Sequence, residues 1–168
     1  RTPNVPKAGA TFFGFSRPEE LRDPAIVGRA ILEGAVLSLF DGCQNLPVDI
    51  NEIRLTGGMA KSPEWGAHIA DVFNVETVRV LGEGAALGAA IHAAYVDLNE
   101  RGNEIEISAL TEIFVELDEK SRSKPNPNNA EVYDLQKQLF HGLSLAVRGK
   151  PAGCDLFELR DQIEKLAV

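Results

Sequence analysis

The residues best placed for chemistry gather in Ile53-Arg54-Leu55-Thr56-Gly57-Gly58-Met59-Ala60-Lys61-Ser62-Pro63-Glu64-Trp65. Gly57-Gly58 admits dihedrals closed to other residues and puts no side chain between a ligand and the main chain. Beyond it Ser62 stands at an N-cap, Pro63 at the first helical position and Glu64 in the first turn. Bare backbone beside a helix N-terminus is where α/β proteins hold ligands. The plainer alternative is a tight connection with no ligand. Lys61 could meet a phosphate, or be an ordinary exposed lysine. A second junction, Gly82-Glu83-Gly84-Ala85-Ala86-Leu87-Gly88-Ala89-Ala90-Ile91, opens a slim helix able to lie against another backbone or a flat ligand. Its G-x-G-x-x-x-G spacing departs from the G-x-G-x-x-G of dinucleotide folds, and no early βαβ unit precedes it.

Other chemistry is thin. Cys43 and Cys154 stand far apart, in no C-x-x-C spacing, which favours reduced thiols. His68, His92 and His141 form no H-x-x-H pair, so no zinc site is expected. Glu33 could act on a substrate, but a paired or solvated helix carboxylate is the commoner case. A formal net charge of −8 argues against nucleic acid and against anionic membrane surfaces. The longest apolar run, Gly84 to Val96, is shorter than a bilayer needs. A cytoplasmic protein is the expectation.

The elements that must position these residues follow from periodicity. Ile53 and Leu55 alternate with polar neighbours as a short strand, and Glu76 to Leu81 alternates as a second. Asp23-Pro24 starts a helix to about Gln44, with Val27, Ala30, Ile31, Gly34, Leu37, Ser38 and Phe40 on its apolar face. Gly34 there suggests close packing. The helix from Ser62 runs to about Phe73, burying Trp65, Ile69, Val72 and Phe73, with Asn74 as C-cap. Pro18 to Arg22 and the stretch from Ser108 to Glu112 make single helical turns. Glu116 to Asn129, charged and Pro/Asn-rich, reads as a surface connector. Helices from Ala130 to about Val147 and from Asp155 to Leu166 close the chain. The opening Arg1-Thr2-Pro3, without Met, reads as a cut chain.

Several stretches, in order, resemble the C-terminal half of the FGGY family of carbohydrate kinases, most closely its xylulokinase-like members. Arg1-Thr2-Pro3 through Phe12-Phe13-Gly14 is similar to the family's "ERTP … FFGL" loop, and Arg29-Ala30-Ile31-Leu32-Glu33-Gly34 to its "RAxxEG" helix. Leu55 to Trp65 resembles the "LTGGxAKSPxW" adenosine motif, and Gly82 to Ala90 the "EGAALGAA" helix start. Pro125-Asn126-Pro127 and Tyr133 follow the same pattern. At Gly66-Ala67-His68 the chain departs from the family's usual longer polar residue and glutamine.

The resemblance implies an α/β chain, part of an actin-like (ribonuclease H-like) ATPase domain with several packed helices. Residues 1–150 would form the nucleotide-binding domain, incomplete at its N-terminal side, and residues 151–168 a closing helix. It implies that Gly57, Gly58, Met59, Lys61, Ser62, Trp65, Gly82 and Glu83 bind the nucleotide. ATP and Mg2+ would be the cofactors, the metal held mainly by an N-terminal kinase domain that also brings the phosphate loop, the base aspartate and most sugar contacts. No catalytic residue is expected in residues 1–168, and phosphoryl transfer would need that partner. The function implied is ATP-dependent phosphorylation of a sugar, a ketopentose such as xylulose. The alternatives are a non-catalytic actin-like nucleotide-binding module and a Rossmann-type oxidoreductase, the latter disfavoured by the missing G-x-G-x-x-G. Exposed apolar surface, and with it possible homo-oligomers, is expected of the chain alone.

Overall fold

Alternation of Ile53 and Leu55 with the exposed Arg54 yields strand β1 (Glu52–Leu55). The computed structural model describes residues 9–82 and 84–166. Its contacts divide the chain into two units, Ile50–Pro125 and Arg1–Asp49 with Asn126–Val168.

In the Ile50–Pro125 unit a 3-10 turn, Met59–Lys61, follows the double glycine. Helix α2 (Pro63–Phe73) then begins as its residues dictate: the Ser62 side chain accepts from the Trp65 N–H, Pro63 needs no partner for a missing N–H, and Glu64 complements the positive helix end. Asn74 ends it in the left-handed region at φ 54°, its N–H donating to the Ala70 carbonyl. The α2 crossover lets β2 (Glu76–Val80) run parallel to β1, with Ile53 opposite Thr77 and Leu55 opposite Arg79. Thr77 and Val78, neighbours that face opposite sides of the sheet, are both 0% exposed, so β2 is covered on both faces. Thr77 tolerates this because its Oγ1 donates to the Gly66 carbonyl at 3.0 Å. Ile69, Ala70 and Val72 of α2 complete this core, with Gly66 also buried. Trp65 and Phe73 are only half-buried. Helices α3 (Gly84–Glu100) and α4 (Ile107–Phe114) pack on each other, and α4 is longer than the single turn the sequence suggests.

The charged stretch read as a connector holds a strand instead. β3 (Leu117–Ser123) pairs antiparallel with β2, giving the order β1-β2-β3. Its sequence has no β-branched residue, so periodicity hides it. Ion pairs replace apolar burial. Arg122 donates to Glu52 at 2.8 Å, Glu76 at 3.3 Å and Glu119 at 2.7 Å, and so ties all three strands together. Arg79 meets Asp118 at 2.7 Å. Arg122 holds the Glu119 carboxyl below its ordinary range, and Arg122 then Arg54 do so for Glu52.

In the other unit Asp23 caps α1 (Pro24–Cys43) through its side chain, which accepts from the Ala25 N–H. Helix α1 packs on α5 (Ala130–Val147), and α5 on α6 (Leu156–Leu166), whose start is capped by Asp155 Oδ1 accepting from the Phe157 and Glu158 N–H groups. The buried side chains are Val36, Leu37, Tyr133 and Leu159. Expectation and structure part over α1: Ile31 and Ser38 are exposed, and no described atom lies within 4 Å of a Cβ built on Gly34, so that glycine marks no close contact. The close contact is at Gly142, where a Cβ would stand 2.6 Å from Cys154 Sγ and 3.0 Å from Leu156 Cδ2. Residues 11–15 form no regular element; the Phe13 ring meets that of Phe157 at a tilt of 56°, 5.3 Å between centroids.

Candidate functional site

The two glycine junctions come together. Thr56 directly follows β1 and Gly84 opens α3, and a Cβ built on Gly84 would lie 2.2 Å from Thr56 Oγ1 and 2.9 Å from Thr56 Cβ. Only glycine permits so close an approach of helix to strand end. Gly57 at φ 87° and Gly82 at φ 80° adopt the left-handed region that suits glycine. Gly58 differs. Its backbone is ordinary right-handed helix, φ −62° and ψ −42°, and a Cβ there would meet no described atom within 4 Å. Neither backbone nor packing calls for a glycine at 58. What the missing side chain leaves is bare, exposed main chain. Met59 beside it is 50% exposed and offers a polarisable apolar surface.

The remaining sequence-predicted residues divide. Lys61 and Ser62 line a cavity of about 180 Å³ shared with Ala60, Gly66, Arg79, Lys120 and their neighbours. That volume falls below the roughly 300 Å³ of a typical ligand pocket, whereas Gly57, Gly58, Met59, Trp65 and Gly82 lie outside its lining. The Ser62 hydroxyl is engaged within the helix start, accepting from the Trp65 N–H at 3.3 Å and donating to Glu64 Oε2 at 2.8 Å. Trp65 leans on His68, 6.0 Å between ring centroids. Glu83 lies outside the described residues, as does the Arg1-Thr2-Pro3 segment.

A larger cavity, about 540 Å³, lies within the other unit and was not anticipated. Phe13, Leu37, Phe140 and Leu143 wall it, with Arg29, Glu33 and Arg160 at its polar side. Its cations are already matched. Arg29 meets Glu33 at 2.7 Å, which raises the arginine's pKa, and Arg160 pairs with Asp161. Little charge is left there for a phosphate. The apolar run at residues 12–15 and the Arg29/Glu33 spacing of one helical turn were its only sequence signals. Among the described residues no group of three or more His, Cys, Asp or Glu is placed to hold a metal ion, and no helix is long and apolar enough to cross a membrane.

Comparison with known proteins bears on the same segment. The model of the FGGY family of carbohydrate kinases, C-terminal domain, matches residues 1–96. The chain is similar to a xylulose kinase of Haemophilus influenzae, 35% identical over 147 residues that cover 84% of this chain and 28% of that protein. Among solved structures it is similar to a xylulose kinase from Rhodospirillum rubrum (TM-score 0.65, 25% identity, 86% of this chain and 28% of that one). It is equally similar to a gluconate kinase from Lactobacillus acidophilus (TM-score 0.65, 25% identity, 82% of this chain and 27% of that one). The chain thus spans little more than a quarter of the length of these relatives.

Proposed function

The chain belongs to the FGGY family of carbohydrate kinases, α/β proteins of the actin-like ATPase fold, and from that premise we propose that it is the nucleotide-binding part of a xylulose kinase-like enzyme. In this reading the adenosine of ATP lies along Gly57-Gly58, with Met59, Lys61, Trp65, Gly82 and Glu83 around it. Ser62, which also sets the helix start, stands beside Lys61 at the edge of that site. Residues 1–150 serve as the domain proper and 151–168 as its closing helix. The observation that carries the reading is Gly58: its conformation and surroundings would accept a side chain, yet it presents bare main chain beside the Thr56–Gly84 contact.

ATP supplies the phosphoryl group when bound. In this reading the bare main chain at Gly57-Gly58 and the apolar Met59 give the base and ribose a platform that positions the nucleotide, and positioning accounts for much of phosphoryl transfer. Mg2+ would be held, like the sugar and the general base, by residues outside this chain, since among the described residues no group of three or more His, Cys, Asp or Glu is placed to hold a metal ion. It would supply neutralisation of the phosphate charge. The relatives named xylulose kinase support a ketopentose as the sugar, and the equal structural similarity to a gluconate kinase is why this reading assigns that choice to residues outside this chain.

Calorimetric titration with Mg-ADP tests the platform. Wild type should bind saturably, and Gly58→Val should weaken binding at least tenfold, about 1.4 kcal/mol, with an unchanged melting temperature. Equal affinity in the variant would remove Gly58 from the site.

A further inference from the structure

The nucleotide reading leaves the cavity of about 540 Å³, in the unit of α1, α5 and α6, without a task. Its volume lies within the roughly 300–1,000 Å³ of small-molecule sites. Phe12, Phe13, Phe15 and Phe140 line it together with Leu37 and Leu143. Gly34 lines it too, and a Cβ there would meet no described atom within 4 Å. Glycine inside a helix weakens it, and neither packing nor a positive φ calls for one at 34. What its missing side chain leaves is space in the cavity.

The polar groups of the lining are unequally matched. Arg29 is met by Glu33, Arg160 by Asp161 and Glu20 by Arg17. Glu164 is the one carboxylate of the lining that enters no ion pair among the described residues. Gln136 adds a second unmet acceptor, because its Oε1 is buried and accepts no hydrogen bond. Turning that amide to present Oε1 to the cavity therefore breaks no bond at the oxygen. Both unmet groups call for N–H donors, and aromatic faces attract cations.

We propose that this cavity is a second ligand site, selective for a small organic monocation: an ammonium group joined to an aromatic body. The rings and the space at Gly34 take the body, and Glu164 and Gln136 take the ammonium. An anion of the same shape meets an unmatched carboxylate and no free cation, in a chain that already carries −8. The inference goes beyond the kinase reading and does not depend on it.

The test is titration of the chain with tryptamine, followed by NMR, with indole-3-propionate as the anionic counterpart. Tryptamine should bind saturably, one to one, and at least tenfold more tightly than indole-3-propionate. Gly34→Leu, which fills the cavity, should abolish binding without lowering the melting temperature. Glu164→Gln should weaken binding at least threefold, while Glu131→Gln, an exposed glutamate outside the lining, leaves it unchanged. Should Gly34→Leu fail to fold, nuclear Overhauser contacts from tryptamine to the Leu37 and Leu143 methyls of the wild type decide. Absence of saturable binding, equal affinity in a folded Gly34→Leu or for the anion, the same loss in Glu131→Gln as in Glu164→Gln, or contacts to other methyls only would each overturn the proposal. Mg-ADP binding is read in a separate titration, so either reading can fail alone.

Discussion

At the scale of single residues, the glycines of the two junctions carry separate duties. Gly84 is a packing glycine, and Gly84→Ala should destabilise the chain by about 1–3 kcal/mol, the usual cost of overpacking. The atom it strikes belongs to a short β-branched side chain with little freedom to move. Thr56→Ala should recover part of that loss, and urea unfolding of the single and double variants measures both. Gly57 is a conformational glycine, so Gly57→Ala carries the cost of a left-handed backbone, about 1 kcal/mol. Gly58 has neither duty. The sequence marks Gly57 and Gly58 alike, as a turn, and puts Gly84 at the start of a slim helix able to lie against another backbone. Only the dihedrals and the distance from Gly84 to Thr56 separate them, because neither is written in residue type. Ser62 shows the reverse: its cap was legible from Ser-Pro-Glu alone, and the structure finds its hydroxyl occupied there.

At the scale of elements, helices with caps were legible and a strand held by charge was not. Asp23-Pro24, Ser62-Pro63, Asn74 and Asp155 mark the ends of α1, α2 and α6 within a residue of where they fall. β3 escaped because Leu117–Ser123 buries little apolar surface and owes its place to partners distant in sequence. Arg122→Ala should therefore lower the melting temperature at neutral pH. The sign with pH follows from the depressed carboxyls of Glu52 and Glu119. Their contribution is complete above the unfolded glutamate value of about 4.3 and is lost as pH falls through the lower folded values. The gap between wild type and Arg122→Ala should be widest above that pH and close below it, as thermal melts across a pH series would show. Gly142→Ala tests the α5–α6 contact in the same way. The new methyl meets Cys154 and Leu156, and the expected loss is about 1–3 kcal/mol.

At the scale of the whole molecule, the chain has more apolar surface than its own elements cover. Ile31 is 56% and Leu39 58% exposed on α1, and Ile113 is 71% and Phe114 54% exposed on α4. Composition could not reveal this, since 44% hydrophobic residues is ordinary and the excess is a matter of placement. It accords with a chain spanning little more than a quarter of its relatives' length. The larger cavity offers the nucleotide a rival location, so the central claim is a claim about place. Photo-crosslinking with 8-azido-ATP, followed by peptide mapping, decides it. The account predicts label in peptides spanning residues 57–65 and 82–91, suppressed by excess ATP. Label that ATP suppresses in peptides 11–37 or 136–164, which line the larger cavity, would contradict it.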